Sequence, residues 1–329
     1  LQSKYNVFLI TNGGDSLERL EDLKVNFQII KGLKSKNPIT ITKNINKIKN
    51  FIKENNIDLV HTHHRLTELL ALQAINFITN NKPISVITVL SLVNKKFNVE
   101  YKSNKIIAVS NTIKQMLVEK FKIDEYNINV INNFTDTDEI HELEILTNTI
   151  RDHGSKFNIL AIGRFHHEKN FETLLKALNI LKNENIELIL IGEGSKDAGY
   201  RRYISKNNLN VEIIVPQRNL IQYFLIADIC VLPSSKDPFP NFMLQAGLHK
   251  VPFIGSNVDG ISELIRDGQN GLLFGAGNEN ELAEKILQFK ENRIFAQKCA
   301  MNLYNDVINN YTQEFIIPKI EAVYNNSEN

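Results

Sequence analysis

The chain has 329 residues and carries 38 Lys and Arg against 37 Asp and Glu, a formal net charge of +1, so it is no whole-chain polyanion binder and nucleic acid is not an expected partner. That length suits two domains of roughly 150 residues each better than one core, and a hydrophobic content of 43% excludes wholesale disorder. Two cysteines, Cys230 and Cys299, build neither a disulfide framework nor a cysteine zinc site, and no apolar run reaches the roughly 18 residues that span a bilayer.

Taken in chain order, apolar runs alternate with helical stretches. The opening LQSKYNVFLITNGG reads as a strand, 7–11, rather than as a secretory leader. A second strand is expected at 25–30. Residues 40–54, ITITKNINKIKNFIK, space Ile and Phe at three and four, which is the helical period. Then come a strand at 57–63, a helix at 66–78, strands at 83–89 and 105–110, a helix at 111–121 with Asn111 as its N-cap, and a short strand at 128–132. Residues 134–155 turn polar and acidic, and the interdomain linker is placed at 145–155.

The alternation restarts at 157–163, FNILAIG. A helix at 170–183, a strand at 186–194 ending in glycines, a helix at 200–208 and a strand at 211–215 follow. Next are a short helix at 219–227, a strand at 228–234, and a helix at 241–249 with Pro240 at its first position. VPFIGSN, ISELIRDG and NGLLFG continue the pattern, and the last 50 residues read as mostly helical. Strands that alternate with helices imply parallel sheets covered on both faces. The chain is therefore expected to hold two doubly wound halves, with the ligand in the cleft between them at the C-terminal ends of the strands.

Three segments carry chemistry. In AIGRFHHEKN, Gly163, Arg164 and Lys169 stand between a strand end and a helix start. There the Arg fork and the mobile Lys charge suit phosphate oxygens, unless both are merely solvated cations. In LILIGEGS, Gly192 and Gly194 permit close backbone approach to a ligand, but the spacing is not the dinucleotide fingerprint. In DPFPNFMLQAG, Asp237 and Gln245 are eight apart, one in a loop and one inside the next helix. The helix start at Phe239, Pro240, Asn241 and Phe242 offers backbone N–H groups to a phosphate between them. Histidines cluster at His61, His63, His64 and at His166, His167. No carboxylate or thiol completes a ligand set, so they are read as cleft-lining donors and no metal is expected. Cys230 lies in the apolar strand DICVL and reads as core.

The second half resembles the C-terminal domain of the retaining GT-B glycosyltransferases of family GT4, the glycosyltransferase group 1 proteins. GRFHHEKN, GEG, ADICVLPS, DPFPNFMLQAG and KVPFIGSNVDGISELIRDGQNGLLF appear in the order of that family's segments. LITNGG, IDLVHTHH, KIIAVSNTIKQML and VINNFTD agree more loosely in the first half. The resemblance implies a GT-B fold, with two Rossmann-like doubly wound domains facing a central cleft. It sets a domain at 1–150 on the acceptor side, a nucleotide-sugar domain at 151–310, and a helix at 311–329 packing back on the first. It implies transfer of a sugar, hexosyl in type, from a UDP- or GDP-sugar to a glycan or lipid-linked acceptor in bacterial surface polysaccharide, lipopolysaccharide or glycolipid synthesis. No cofactor or metal is implied. Arg164 and Lys169 would stabilise the departing diphosphate, Asp237 would touch the donor sugar, Gln245 the ribose, and Pro216 and Gln217 would lie near the base. His63 and His64 are candidates for the acceptor side.

The chain also departs from the family's pattern. Its paired glutamates are Asp237 and Gln245 here, and Leu90 stands where a histidine is common. The family's opening strand and glycine-rich loop are expected to be missing before Leu1. These departures leave a second reading open, a nucleotide-sugar-binding relative or partner subunit with impaired turnover. A third, an epimerase or phosphorylase on the same fold, is disfavoured by the ordered segments. The location is expected to be cytoplasmic, with peripheral contact at the inner face of the membrane through the lysine-rich helix that includes Lys43, Lys47, Lys49 and Lys53. The same lysines also suit a plain solvated face.

Overall fold

A computed structural model describes residues 4–14, 17–93, 99–137 and 156–325. The chain divides into two compact units: unit 1 is Leu1–Val109, Ile113–Ile131 and Ile317–Asn329, and unit 2 is Ser110–Thr112 and Asn132–Ile316. The division thus falls at 131/132, ahead of the linker expected at 145–155, which lies outside the described residues.

Unit 1 runs β1 (Phe8–Thr11), α1 (Leu17–Asp22), β2 (Asn26–Ile29), α2 (Pro38–Glu54), β3 (Leu59–Thr62), α3 (Arg65–Asn76), β4 (Ile84–Val89), β5 (Lys105–Ala108), most of α4 (Asn111–Phe121) and β6 (Ile128–Val130). Among the described residues its strands form a parallel pair, β1-β2, and a four-stranded parallel sheet, β3-β4-β5-β6. A parallel sheet has both faces covered, so β4, ISVITV, is buried after its first residue. Ile48 and Ile52 of α2 and Leu70, Ala74 and Ile75 of α3 form one core with Ile30, and Ile10 of β1 and Val60 of β3 pack against it.

Helix α2 starts two residues earlier than its apolar spacing indicates. The Asn37 side chain accepts from the N–H groups of Ile39 and Thr40, and Pro38 supplies a preset φ at the first position. Asn111 is not an N-cap. It is the first residue of α4, and its side-chain and backbone N–H groups donate to Glu263 at 3.1 and 2.9 Å.

Unit 2 runs β7 (Phe157–Ile162), α5 (Phe171–Ile180), β8 (Ile186–Ile191), α6 (Asp197–Asn207), β9 (Val211–Ile214), α7 (Ile221–Ile226), β10 (Ile229–Leu232), α8 (Asn241–Leu248), β11 (Phe253–Ser256), α9 (Asp259–Leu264), β12 (Leu272–Phe274), α10 (Glu279–Glu291) and α11 (Arg293–Asn310). The described strands make a six-stranded parallel sheet in the order β12-β11-β10-β7-β8-β9. From β7 the chain builds outward through β8 and β9, then returns to the other side of β7 with β10, β11 and β12. The loops after β7 and β10 therefore leave in opposite directions at the switch point, the place where sheets of this kind hold their ligands.

Helix α8 packs against α11 so closely that a Cβ at Gly247 would stand 2.7 Å from Val307 Cγ2. Pro240 is the N-cap of α8 with extended backbone, not its first helical residue. The tail is α12 (Gln313–Asn325), which counts with unit 2 through Ile316 and with unit 1 from Ile317, rather than as one body from 311. No helix among the described residues is long and apolar enough to cross a membrane.

Candidate active site

In unit 2 the switch point brings together two of the residues singled out in the sequence. Lys169, at the end of the loop after β7, places Nζ 2.5 Å from Oδ2 of Asp237 in the loop after β10. Ser234 Oγ donates to the same carboxylate oxygen at 3.1 Å. The Asp237 side chain is 8% exposed and the Lys169 side chain 22%, so the pair is held largely out of solvent and strengthened accordingly. Ser235 donates to Glu168 O from both N–H and Oγ, at 2.7 and 3.2 Å, and so ties the two loops. Ser234, itself fully buried, also receives a hydrogen bond on its carbonyl from Ser256 Oγ. Arg164 lies exposed on the loop that carries Lys169.

The glycines act differently from expectation. A Cβ at Gly192 would meet Gly163 O at 2.0 Å, and one at Gly194 would meet Phe165 O at 2.6 Å. The backbone they let approach is therefore the chain's own loop after β7, and they fix that loop rather than leave room for a ligand. Gly194 adds a φ of 148°, which side chains rarely adopt. Phe239 and Phe242 are buried, the first against Tyr311 and the second against Phe224 and Phe253, so what they can offer is the backbone expected of this helix start.

Asn133 Nδ2 holds Phe239 O at 2.7 Å, and Asn241 is the exposed first residue of α8. Gln245 is half-buried on the second turn of α8, where its carbonyl accepts from His249 N and Nδ1. Pro216 and Gln217 are exposed after the edge strand β9, and Gln217 Nε2 donates back to Val215 O at 3.1 Å. Cys230 is fully buried, and burial holds its thiol well above the usual range.

In unit 1 the C-terminal ends of β3 and β4 border a cavity of about 200 Å³ whose lining includes His63, His64, Arg65, Thr88 and Leu90. His61 Nε2 lies 2.7 Å from Thr88 Oγ1, and its Nδ1 lies 2.7 Å from Tyr324 Oη of α12. Its ring packs on that of His63 with centroids 4.4 Å apart. Burial, and then the neighbouring charge of His63, push His61 down to about 3, so its imidazole is neutral at pH 7. His64 caps α3 by accepting from Leu66 N–H, and burial followed by the charges of Lys34 and Arg65 lowers it.

Sequence reasoning missed Glu68 and Glu100. The fully buried Glu68 carboxylate accepts from Tyr101 N, Ser103 N and Ser103 Oγ, and Glu100 pairs with Arg65 at 2.5 Å. The signal available was an acid inside the apolar helix pattern LTELLAL.

Residues 148–306 match the family model described as glycosyl transferases group 1, and residues 1–139 match that of glycosyltransferase family 4. The chain is built of glycosyltransferase domains. It is 25% identical over 303 residues to an N-acetyl-alpha-D-glucosaminyl L-malate synthase of Bacillus anthracis, covering 84% of this chain and 77% of that one. It is 24% identical over 232 residues to the capsular polysaccharide biosynthesis glycosyltransferase CapM of Staphylococcus aureus, covering 67% and 61%. Across four curated relatives the matched stretch spans from 55% to 78% of the relative's length. Among solved structures, Anabaena HepE in complex with UDP-glucose superposes with a TM-score of 0.82 at 17% identity, over 97% of this chain and 91% of that one. The fold is GT-B, with a parallel α/β sheet system in each unit.

Proposed function

We propose that this glycosyltransferase moves a hexosyl group from a UDP- or GDP-sugar to a glycan or lipid-linked acceptor, with retained configuration, in the synthesis of a surface polysaccharide, lipopolysaccharide or glycolipid. The observation that carries this reading is the Lys169–Asp237 pair at the switch point of unit 2, with Arg164 exposed on the loop that carries Lys169. In such a transfer the bond between the anomeric carbon and the phosphate oxygen breaks. The acceptor oxygen takes its place on that carbon, and the acceptor proton leaves with the nucleoside diphosphate. Negative charge therefore grows on the diphosphate in the transition state, and Arg164 and Lys169 are the cations assigned to it. Asp237 is assigned to a donor sugar hydroxyl, with Ser234 holding its carboxylate.

Gln245 is assigned to the ribose. Its side chain still offers a carbonyl acceptor and two N–H donors to a diol. Gly163, the backbone at Phe239, Pro240, Asn241 and Phe242, and the exposed Pro216 and Gln217 complete the donor assignment. Gly192 and Gly194 hold its loop, and His63 and His64 are assigned to the acceptor. Support comes from the capsule enzyme CapM among the relatives and from the UDP-glucose bound by HepE. The charge stabilisation is assigned to the protein's own cations, so treatment with EDTA is expected to leave turnover unchanged. A cytoplasmic location suits nucleotide-sugar donors.

The decisive assay incubates the protein with a panel of UDP- and GDP-sugars and follows nucleotide release and donor binding. Release with one donor is expected, and neither release nor binding with any donor would sink the reading. The uncharged Gln245 favours one rival, a donor-binding subunit with impaired turnover. Gln245→Glu separates the two: little change means Gln suffices, while a gain of orders of magnitude identifies an impaired enzyme.

A further inference from the structure

We infer that Asp259, at the first position of α9, is a positioning residue for Asp237: its carboxylate holds the Asp237 backbone so that the Asp237 side chain meets the donor sugar. The inference rests on the assignment of Asp237 made above and adds to it a residue from a different strand loop.

Two hydrogen bonds clamp the Asp237 peptide groups. Asp259 Oδ2 accepts from Asp237 N–H at 2.9 Å, and Gly260 N–H donates to Asp237 O at 3.0 Å. The fit of the two loops is tight, since a Cβ at Gly260 would stand 1.7 Å from Pro238 O. With its backbone fixed on both sides, Asp237 turns its side chain to Lys169 and Ser234. Asp259 therefore bonds directly to the backbone of one member of the ion pair, and acts on the pair through Asp237 alone.

The backbone of Asp259 shows what holding this place costs. Its φ is 41°, in the left-handed region, although it is not a glycine. Most of the other non-glycine residues with positive φ, such as Asn56, Lys122, Asn208 and Lys250, follow the end of a helix, where that conformation is ordinary. Asp259 instead begins one. Glycine would sit there without strain, so a retained side chain needs a use, and the bond to Asp237 N–H is that use. The carboxyl is raised from its usual value by burial and by repulsion from Asp237, and is drawn down by the Asp237 N–H and by Lys236. The group thus stands against desolvation to make this bond.

Asp259→Gly and Asp259→Asn test the assignment. Glycine relieves the strained φ as it removes the acceptor, so the melting temperature is expected to stay near that of the wild type. Hydrogen exchange across 233–240 should then accelerate about tenfold, the scale of one lost bond to a charged group. Calorimetry with UDP, GDP, UDP-glucose and GDP-mannose should show the preference for nucleotide sugar over bare nucleotide falling by about tenfold. Asparagine tolerates the same φ and offers an amide oxygen, so Asp259→Asn should restore both readouts to within a few-fold. Unchanged exchange in the glycine variant overturns the inference, and so does an asparagine variant as impaired as the glycine one. If the wild-type protein binds none of the four probes, the proposed function fails, and the exchange measurement alone decides the role of Asp259.

Discussion

Single side chains in this protein divide into those that hold and those that react, and the distinction sets what a substitution should do. Glu68 holds. Its fully buried carboxylate satisfies three donors on the segment Tyr101–Ser103, so Glu68→Ala strands them and should cost about 3 kcal/mol in urea unfolding, with Glu68→Gln costing roughly half of that. An equal, small effect of both variants would show that the segment finds other partners. Asp228 holds as well, with Oδ2 accepting from Asn158 N–H at 2.7 Å and Oδ1 paired to Arg293 at 2.5 Å. Lys169 is the residue proposed for the other group. Lys169→Ala removes a cation from the diphosphate assignment and should lower kcat by about 100-fold or more with little change in melting temperature. A loss confined to KM would assign Lys169 to ground-state binding instead.

At the scale of elements, the strands and helices were legible because parallel strands need apolar runs and surface helices need an apolar stripe. FNILAI and IELILI announce β7 and β8, and the Ile48 and Ile52 spacing announces α2. What stayed hidden depends on long-range contacts. Nothing local marks Asn111 as turned toward Glu263, or Gly192 as crowded by Gly163. The Lys169–Asp237 contact spans 68 positions and exists because of strand order. Helix α2 carries the prediction for this scale. Lys43, Lys47 and Lys53 are exposed on it, and Ile39 in its first turn is 67% exposed beside them. A basic face with an exposed apolar tip suits the surface of an anionic membrane, at about 1 kcal/mol per lysine. The protein should float with phosphatidylglycerol-rich vesicles and not with neutral ones, and reversing Lys43, Lys47 and Lys53 to Glu should abolish flotation. If it stays at the bottom with both, the face is simply solvated.

Over the whole molecule the net charge of +1 conceals two histidines, the half-buried His61 in unit 1 and the buried His249 in unit 2, whose lowered proton affinity makes stability follow pH. His61 is pushed down to about 3 by burial and by the charge of His63. His249, 6% exposed and stacked on Phe224 with centroids 4.2 Å apart, is pushed down to about 4 by burial, only partly offset by its bond to Gln245 O. Both fall below the usual histidine value of 6.5, so the unfolded chain binds protons that the folded chain refuses. The stabilisation is complete above pH 6.5 and is lost as pH falls toward 4 and then 3. Each histidine contributes a slope of up to about 1.4 kcal/mol per pH unit across that window. Urea midpoints measured from pH 7.5 down to 5 should therefore drop steadily. The double variant His61→Gln, His249→Gln should flatten the decline, because neither amide titrates. His61→Gln alone should flatten only the transition of unit 1, read by exchange in β3 and β4, while unit 2 keeps its dependence. A double variant with the wild-type slope would transfer the acid sensitivity to His63 and His64, which burial also lowers.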